Sequence, residues 1–264
     1  MFVGFNVHIT ERSVFFPYYK QYDQNFFNNQ KAFIESQLDS YILDDGILDA
    51  SRIEEDWFPS IDSDVFISHS HRDEELAIGF AGWLHELFGI TSFIDSCVWG
   101  YADRLLRIID KDYCVKKRKP NGLIDTYDYD KRNQSTAHVH MILNTALQKM
   151  IDKTECLMFL NTPNSLLIDD VIKGTATASP WIYSELTFSQ ICRKKKLAEY
   201  RKELRHDAIF EHAELNIKYN VSMSHLVELD DYDLLDTWIG SRQKDPLEAL
   251  DDLYSNMGFL PTTV

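Results

Sequence analysis

Short apolar runs alternate along the chain with longer segments of helical periodicity. Three runs predict strands buried on both faces, at 65–67 and within 91–96 and 155–162. The segment between the first two predicts a helix whose apolar face carries Leu76, Phe80, Leu84 and Leu87. Gly89 follows as a helix stop. This β-α-β order predicts a parallel sheet with right-handed crossovers.

The rest of the pattern extends this architecture at both ends. Further helices are predicted at 101–110, 137–152 and from 180 onward, and the last strands within 208–229. The polar segments 111–135 and 161–178 are predicted loops. We therefore expect an α/β domain at 62–264, a doubly wound parallel sheet flanked by helices. The alternating stretch 2–10 suggests a strand and 25–43 has helical spacing, and we expect residues 1–61 to form a small N-terminal extension that packs on this domain.

Composition excludes several classes of protein. The 264 residues are 44% hydrophobic and 13% aromatic, which is typical of a folded globular chain. No apolar run approaches the roughly 20 residues that span a bilayer, and the first 16 residues do not have the pattern of a signal peptide. Four widely spaced cysteines favour reduced thiols and a cytoplasmic location. The formal charge of −15 argues against nucleic acid or an anionic membrane as a partner.

A glutamate in the segment "ASPWIYSEL" (178–186) stands out on physical grounds. Ser179 is a good N-cap and Pro180 a good first residue, so a helix is predicted to begin here. At about 100° per residue, Glu185 projects onto the side that also carries Leu186 and Ser189. A carboxylate is therefore expected near the face that packs on the protein, where desolvation is costly.

The predicted topology suggests a reason for accepting that cost. Ligands of open α/β sheets bind outside the carboxyl ends of the strands. Here those ends are 68–75, 95–100 and 161–181. Glu185 lies roughly 6 Å along the helix axis from the start of its helix, within side-chain reach of the same crevice.

Three motifs in this order resemble the TIR (Toll/interleukin-1 receptor) domain. They are "DVFISHSHRDEE" at the first strand, the loop after "FID", and "SPWIYSEL". The chain is most similar to stand-alone bacterial TIR proteins of Thoeris antiphage defence, over roughly 62–255. The pairing of the first motif with Ser-x-Trp-x-x-x-Glu is specific, whereas either motif alone is modest evidence. The long segment 111–135 departs from a compact TIR domain.

The resemblance implies an enzyme and assigns roles to residues. By motif match, Glu185 is the catalytic residue that supports cleavage of the nicotinamide–ribose bond of NAD, and Trp181 is the aromatic residue one turn before it. The loop 95–101 matches the family's mobile loop, which borders the nucleotide site and mediates self-association. NAD is then a substrate, no cofactor is expected, and the product is a cyclic or conjugated ADP-ribose signal that activates an effector protein in antiviral defence. The implied activity is that of an NAD glycohydrolase or an ADP-ribosyl cyclase-type transferase.

Each candidate residue also has an ordinary structural interpretation. Glu185 could lie at a helix edge or pair with a lysine, and Trp181 could pack in the core. Ser68 and His69, candidates for substrate binding, could serve turns and caps, as could Asp73. Asp95 and Trp99, two further candidates, could only shape the second crevice loop. His69 with His71, and His138 with His140, have no carboxylate or cysteine at ligand spacing, so no metal site is predicted.

Two rival functions remain at this point. A non-catalytic TIR scaffold would act through homotypic assembly and would depend on 95–101 rather than on Glu185. A flavodoxin-like nucleotide-binding protein is weakened by the absence of any Gly-rich phosphate loop.

Overall fold

The fold is described from a computed structural model. It describes residues 1–8, 19, 62–169, 174–200, 219–220, 222–230, 232–240 and 245–260. The predicted helical segment 25–43 lies outside these residues, as does most of 208–229.

The described residues form strands and helices in an alternating order. The strands are β1 (Val3–His8), β2 (Val65–Ser68), β3 (Ser92–Ile94), β4 (Val115–Arg118), β5 (Ile124–Tyr127), β6 (Cys156–Asn161), β7 (Leu167–Asp169), β8 (Gly174–Thr177), β9 (Tyr219–Asn220) and β10 (Val227–Leu229). The helices are α1 (Glu74–Phe88), α2 (Ser96–Tyr113), α3 (Tyr129–Lys153), α4 (Pro180–Ile191), α5 (Leu197–Tyr200) and α6 (Pro246–Asn256). Short 3-10 or π turns cover His71–Asp73, Tyr232–Thr237 and Trp238–Gly240.

A five-stranded parallel sheet forms the centre of the fold, with strand order β10-β1-β6-β2-β3. β2 lies between β3 and β6, and all four of its residues are buried. The predicted α/β class, with a parallel sheet and flanking helices, is therefore confirmed. Gly89 ends α1 in the left-handed conformation (φ 69°), and its N–H donates to the carbonyl of His85 at 2.9 Å, as the sequence predicts.

The first strand changes the expected domain boundary. β1 pairs with β6 along its whole length, from Val3 beside Cys156 to His8 beside Asn161, and with β10 on its other side. Residues 1–8 therefore belong to the central sheet and not to an appended extension. The alternating pattern suggests a half-exposed strand, but an interior strand of a parallel sheet is covered on both faces, and five of its six residues are buried. Residues 9–61 lie outside the described residues, apart from Tyr19, which packs on the core beside α1.

Three segments predicted as loops contain regular structure. α2 begins at Ser96, so most of 95–101 is helical. The segment 111–135 holds the end of α2, the antiparallel hairpin β4–β5 and the start of α3. The hairpin is largely exposed, so it has no apolar face to mark it in the sequence. Strands β7 and β8 likewise form an antiparallel pair within 161–178.

Aromatic packing joins the C-terminal segment to α1. The rings of Phe88 and Trp238 stack with centroids 4.3 Å apart, and Trp83 meets Trp238 edge-on at 5.8 Å. The Trp238 indole N–H donates to the carbonyl of Ala249 in α6 at 2.9 Å. These contacts extend the core beyond the sheet.

Two further features of the described residues concern their cysteines and the length of their helices. Cys114, Cys156 and Cys192 are free thiols. No helix in this part of the chain is long and apolar enough to cross a membrane.

Candidate active site

The strand order places a change of chain direction beside the carboxyl end of β2. From β2 the chain passes through α1 to β3 on one side, and then returns across β2 to β6 on the other. The connections therefore diverge between β2 and β6. In open parallel sheets, such a change of direction leaves a ligand-binding crevice at the carboxyl ends of the strands.

Glu185 reaches this edge from α4. Ser179 caps the helix, its hydroxyl accepting the N–H of Ile182 at 3.3 Å, and Pro180 is the first helical residue. These features confirm the predicted helix start. Glu185 is only 2% exposed. The hydroxyl of Ser68, at the end of β2, donates to Glu185 Oε2 at 2.5 Å.

Asp95 and His69 complete a buried polar cluster around Glu185. His69 directly follows β2 and Asp95 directly follows β3, and both side chains are fully buried. His69 Nδ1 lies 2.6 Å from Asp95 Oδ1. The carboxyl groups of Asp95 and Glu185 lie within hydrogen-bonding contact of each other. We refer to Ser68, His69, Asp95 and Glu185 as the carboxyl cluster.

Burial dominates the electrostatics of the carboxyl cluster. It raises the pKa of Glu185 well above the ordinary value, and the neighbouring charge of Asp95 raises it further, whereas the Ser68 hydroxyl lowers it. Burial also raises the pKa of Asp95, although the interaction with Glu185 and, to a smaller extent, the N–H of Ser96 oppose this. Burial lowers the pKa of His69 to about 4, against the opposing effect of Glu185. His69 is therefore neutral at physiological pH.

A second polar link connects the loops after β2 and β6 at the same edge. Asp73 accepts hydrogen bonds from Thr162 Oγ1 at 2.6 Å and from Asn164 Nδ2 at 2.7 Å. The Thr162 hydroxyl also accepts the backbone N–H of Ser165 at 3.2 Å. No role for Thr162 or Asn164 was predicted from the sequence. Turn-forming residues directly after a buried strand could have indicated that they lie at this edge of the sheet. Asp73 thus has a structural role in holding the crevice loops together.

The other predicted site residues lie elsewhere or outside the description. The half-buried ring of Trp181 packs edge-on against His140 of α3, with centroids 5.7 Å apart. Trp99 belongs to the first turns of α2, but its side chain lies outside the described residues. Of the six predicted site residues, the structure thus brings four together. Among described residues, no three His, Cys, Asp or Glu groups are arranged to hold a metal ion.

Comparison with protein-family models, with curated proteins and with solved structures gave no match to this chain.

Proposed function

We propose that this chain is a TIR-type enzyme that cleaves the nicotinamide–ribose bond of NAD, with Glu185 as the catalytic carboxylate. One observation carries the proposal. A glutamate that is 2% exposed lies at the carboxyl edge of a parallel sheet, held by the Ser68 hydroxyl and not by a lysine or arginine in any contact described for it. A carboxylate with a purely structural role is more often paired with a cation when buried.

The reaction needs a negative charge beside the ribose. As the bond between ribose C1′ and the nicotinamide nitrogen breaks, its electron pair leaves with nicotinamide and the ribose becomes oxocarbenium-like. An ionised Glu185 stabilises this positive charge and accepts hydrogen bonds from the ribose hydroxyls. Water or another nucleophile then adds to C1′ and loses its proton. The product is ADP-ribose, or a cyclic or conjugated derivative of it.

The remaining parts of the proposal follow from the TIR resemblance. Because Glu185 and Asp95 are almost fully buried, NAD can reach them only after a rearrangement at this edge. We propose that self-association involving 95–101 promotes that rearrangement. The released nucleotide would activate a separate effector protein in the bacterial cytoplasm, as part of antiphage defence.

Mass spectrometry of NAD incubated with concentrated protein tests the activity. The wild type is compared with Glu185→Gln, which keeps the shape of the side chain and removes its charge. Glu199→Gln is the matched control, because Glu199 is exposed and pairs with Arg193. One set contains free amino acids as acceptors and one contains a crowding agent that promotes assembly.

We expect nicotinamide release by the wild type and by Glu199→Gln, with a loss of at least about 100-fold in Glu185→Gln, the range for removing one charge-stabilising group. The mass of the second product identifies the signal. Equal nicotinamide release by Glu185→Gln would contradict the proposal. If no variant releases nicotinamide under any condition, including in lysates of phage-challenged cells, the scaffold function is favoured. Substitutions in 95–101 would then abolish self-association and signalling.

A further inference from the structure

We propose that Asp95 is a positioning residue that shares one proton with Glu185 inside the buried carboxyl cluster. The kinetic consequence rests on the proposed function, whereas the shared proton does not. Neither the sequence motifs nor their spacing indicate that these two carboxyl groups lie together.

The burial of the carboxyl cluster disfavours a second negative charge. Consecutive residues hold the two carboxyl groups at one place, since Ser68 Oγ lies 2.5 Å from Glu185 Oε2 and His69 Nδ1 lies 2.6 Å from Asp95 Oδ1. The side chains of Asp95 and Glu185 are 0% and 2% exposed, and their carboxyl groups interact with each other. Two ionised carboxylates in such contact, both removed from water, repel each other strongly. One proton between them turns that repulsion into a hydrogen bond.

Each carboxyl group lies against a polar side chain at the end of β2. Ser68 Oγ donates to Glu185 Oε2 at 2.5 Å, and His69 Nδ1 lies 2.6 Å from Asp95 Oδ1. Ser68 is the last residue of β2 and His69 follows it directly, so the end of one strand positions both carboxyl groups. This arrangement holds the pair in one geometry.

The charged surroundings favour keeping the proton. Asp73, in the turn after β2, and Glu74, at the start of α1, both act on His69 from the same edge as Asp95 and Glu185. His69 is neutral, since burial lowers its pKa to about 4. It therefore does not neutralise a second negative charge on the pair.

The proton has a consequence for the proposed reaction. While Glu185 holds it, the residue cannot stabilise the positive charge on the ribose. Nicotinamide release should therefore rise with pH as the pair loses its proton. The charge of Asp95 raises the pKa of Glu185, so removing that charge should move the rise to lower pH.

Infrared spectroscopy of the protein without any ligand tests the shared proton directly. We expect a band of a buried protonated carboxylic acid at neutral pH in the wild type. Asp95→Asn should shift the disappearance of this band to lower pH, and Glu185→Gln should remove or shift it. Asp110→Asn is the matched control, because Asp110 is also a buried carboxylate but is paired with Arg132 Nε at 2.8 Å, outside the carboxyl cluster. A wild type without this band, or an Asp95→Asn variant with an unchanged midpoint, would overturn the proposal.

The pH dependence of kcat/KM for NAD tests the positioning role. In Asp95→Asn we expect the acidic limb to move to lower pH, so that the ratio of variant to wild-type activity is highest at low pH. Ser68→Ala should move the limb in the opposite direction, because its hydroxyl lowers the pKa of Glu185. If Asp95→Asn fails to fold, the Ser68→Ala variant still tests the positioning role. A uniform loss of activity at every pH in both variants would overturn the positioning role, since a purely structural defect does not move the limb.

The two readouts separate the two proposals. Absent nicotinamide release together with the expected infrared shifts would contradict NAD cleavage and leave the shared proton standing. Nicotinamide release with an unchanged infrared midpoint would contradict the shared proton and leave the enzyme standing.

Discussion

Ser68 and Glu185 are 117 positions apart in the chain, yet the hydroxyl of one donates to the carboxylate of the other at 2.5 Å. This bond joins the end of β2 to the second turn of α4 across the crevice. It gives the buried carboxylate one fixed orientation.

Ser68→Ala should destabilise the fold by about 1–3 kcal/mol, because it leaves a buried carboxyl oxygen without its donor. Under the proposed function it should also lower nicotinamide release at neutral pH. Urea unfolding and the NAD assay measure the two effects. Ser70→Ala is the control, since the Ser70 hydroxyl is a weak acceptor for Arg72 N–H at 3.4 Å in the same loop. Equal effects of the two substitutions would contradict a specific role for the Ser68–Glu185 bond.

Raised carboxyl pKa values make the pH dependence of stability predictable. A carboxyl group whose pKa is higher in the folded state than in the unfolded state contributes to stability. This contribution is complete below the unfolded-state pKa and is lost as pH rises through the folded-state pKa. For Glu185 that loss begins above the ordinary value of 4.5. The wild type should therefore lose stability relative to Glu185→Gln as pH rises from there, with a slope of up to about 1.4 kcal/mol per pH unit.

Urea unfolding of both proteins at several pH values measures this difference. Comparing the two proteins is necessary because the contribution of His69 to the free energy of unfolding depends on pH in the opposite direction. Its pKa is lowered to about 4, so its contribution to stability is lost as pH falls from 6.5. Taking the difference between wild type and Glu185→Gln largely cancels the His69 contribution. A difference that does not vary with pH would contradict a raised pKa for Glu185.

At Gly82, a substitution that usually stabilises a helix is expected to destabilise the protein. Gly to Ala inside a helix usually stabilises by up to about 1 kcal/mol. A Cβ at Gly82 in α1 would lie 2.2 Å from the carbonyl oxygen of Tyr19, a backbone atom. Gly82→Ala should therefore destabilise by about 1–3 kcal/mol, as expected for overpacking. An increase in thermal stability would show that Tyr19 does not pack against α1 in solution.

The N-cap of α4 links local structure to the position of Glu185. Ser179→Ala should cost about 1 kcal/mol, because the N–H of Ile182 loses its acceptor. Ser179→Asp should retain the cap and most of the stability, because aspartate is an equally good N-cap. Denaturant unfolding of the three proteins distinguishes capping from side-chain size. An Asp variant as unstable as the Ala variant would contradict a capping role.

Parts of this fold could be predicted from sequence because their signals are local. The apolar run at β2, the helical spacing of α1 and the cap at Ser179 each depend on neighbours within a few residues. The burial of Glu185 also follows from its angle on α4 and its distance from the cap. Helical periodicity fixes a face without reference to the rest of the chain.

The hairpin β4–β5 shows where local signals fail. Its residues are charged and largely exposed, and Gly122, with φ of +82°, marks only the turn. Without a buried face, a strand has no apolar alternation to detect. The sequence therefore indicates a loop, and only the pairing of the two strands reveals a ribbon.

By itself, the sequence determined the α/β class and the buried side of α4 that carries Glu185, because these follow from periodicity and caps. Only the tertiary structure decided that β1 lies inside the sheet and that Asp95 contacts Glu185. Strand order and side-chain contacts join residues far apart in the chain, and their free energy comes from burial shared between distant segments. No local pattern encodes that choice of partner.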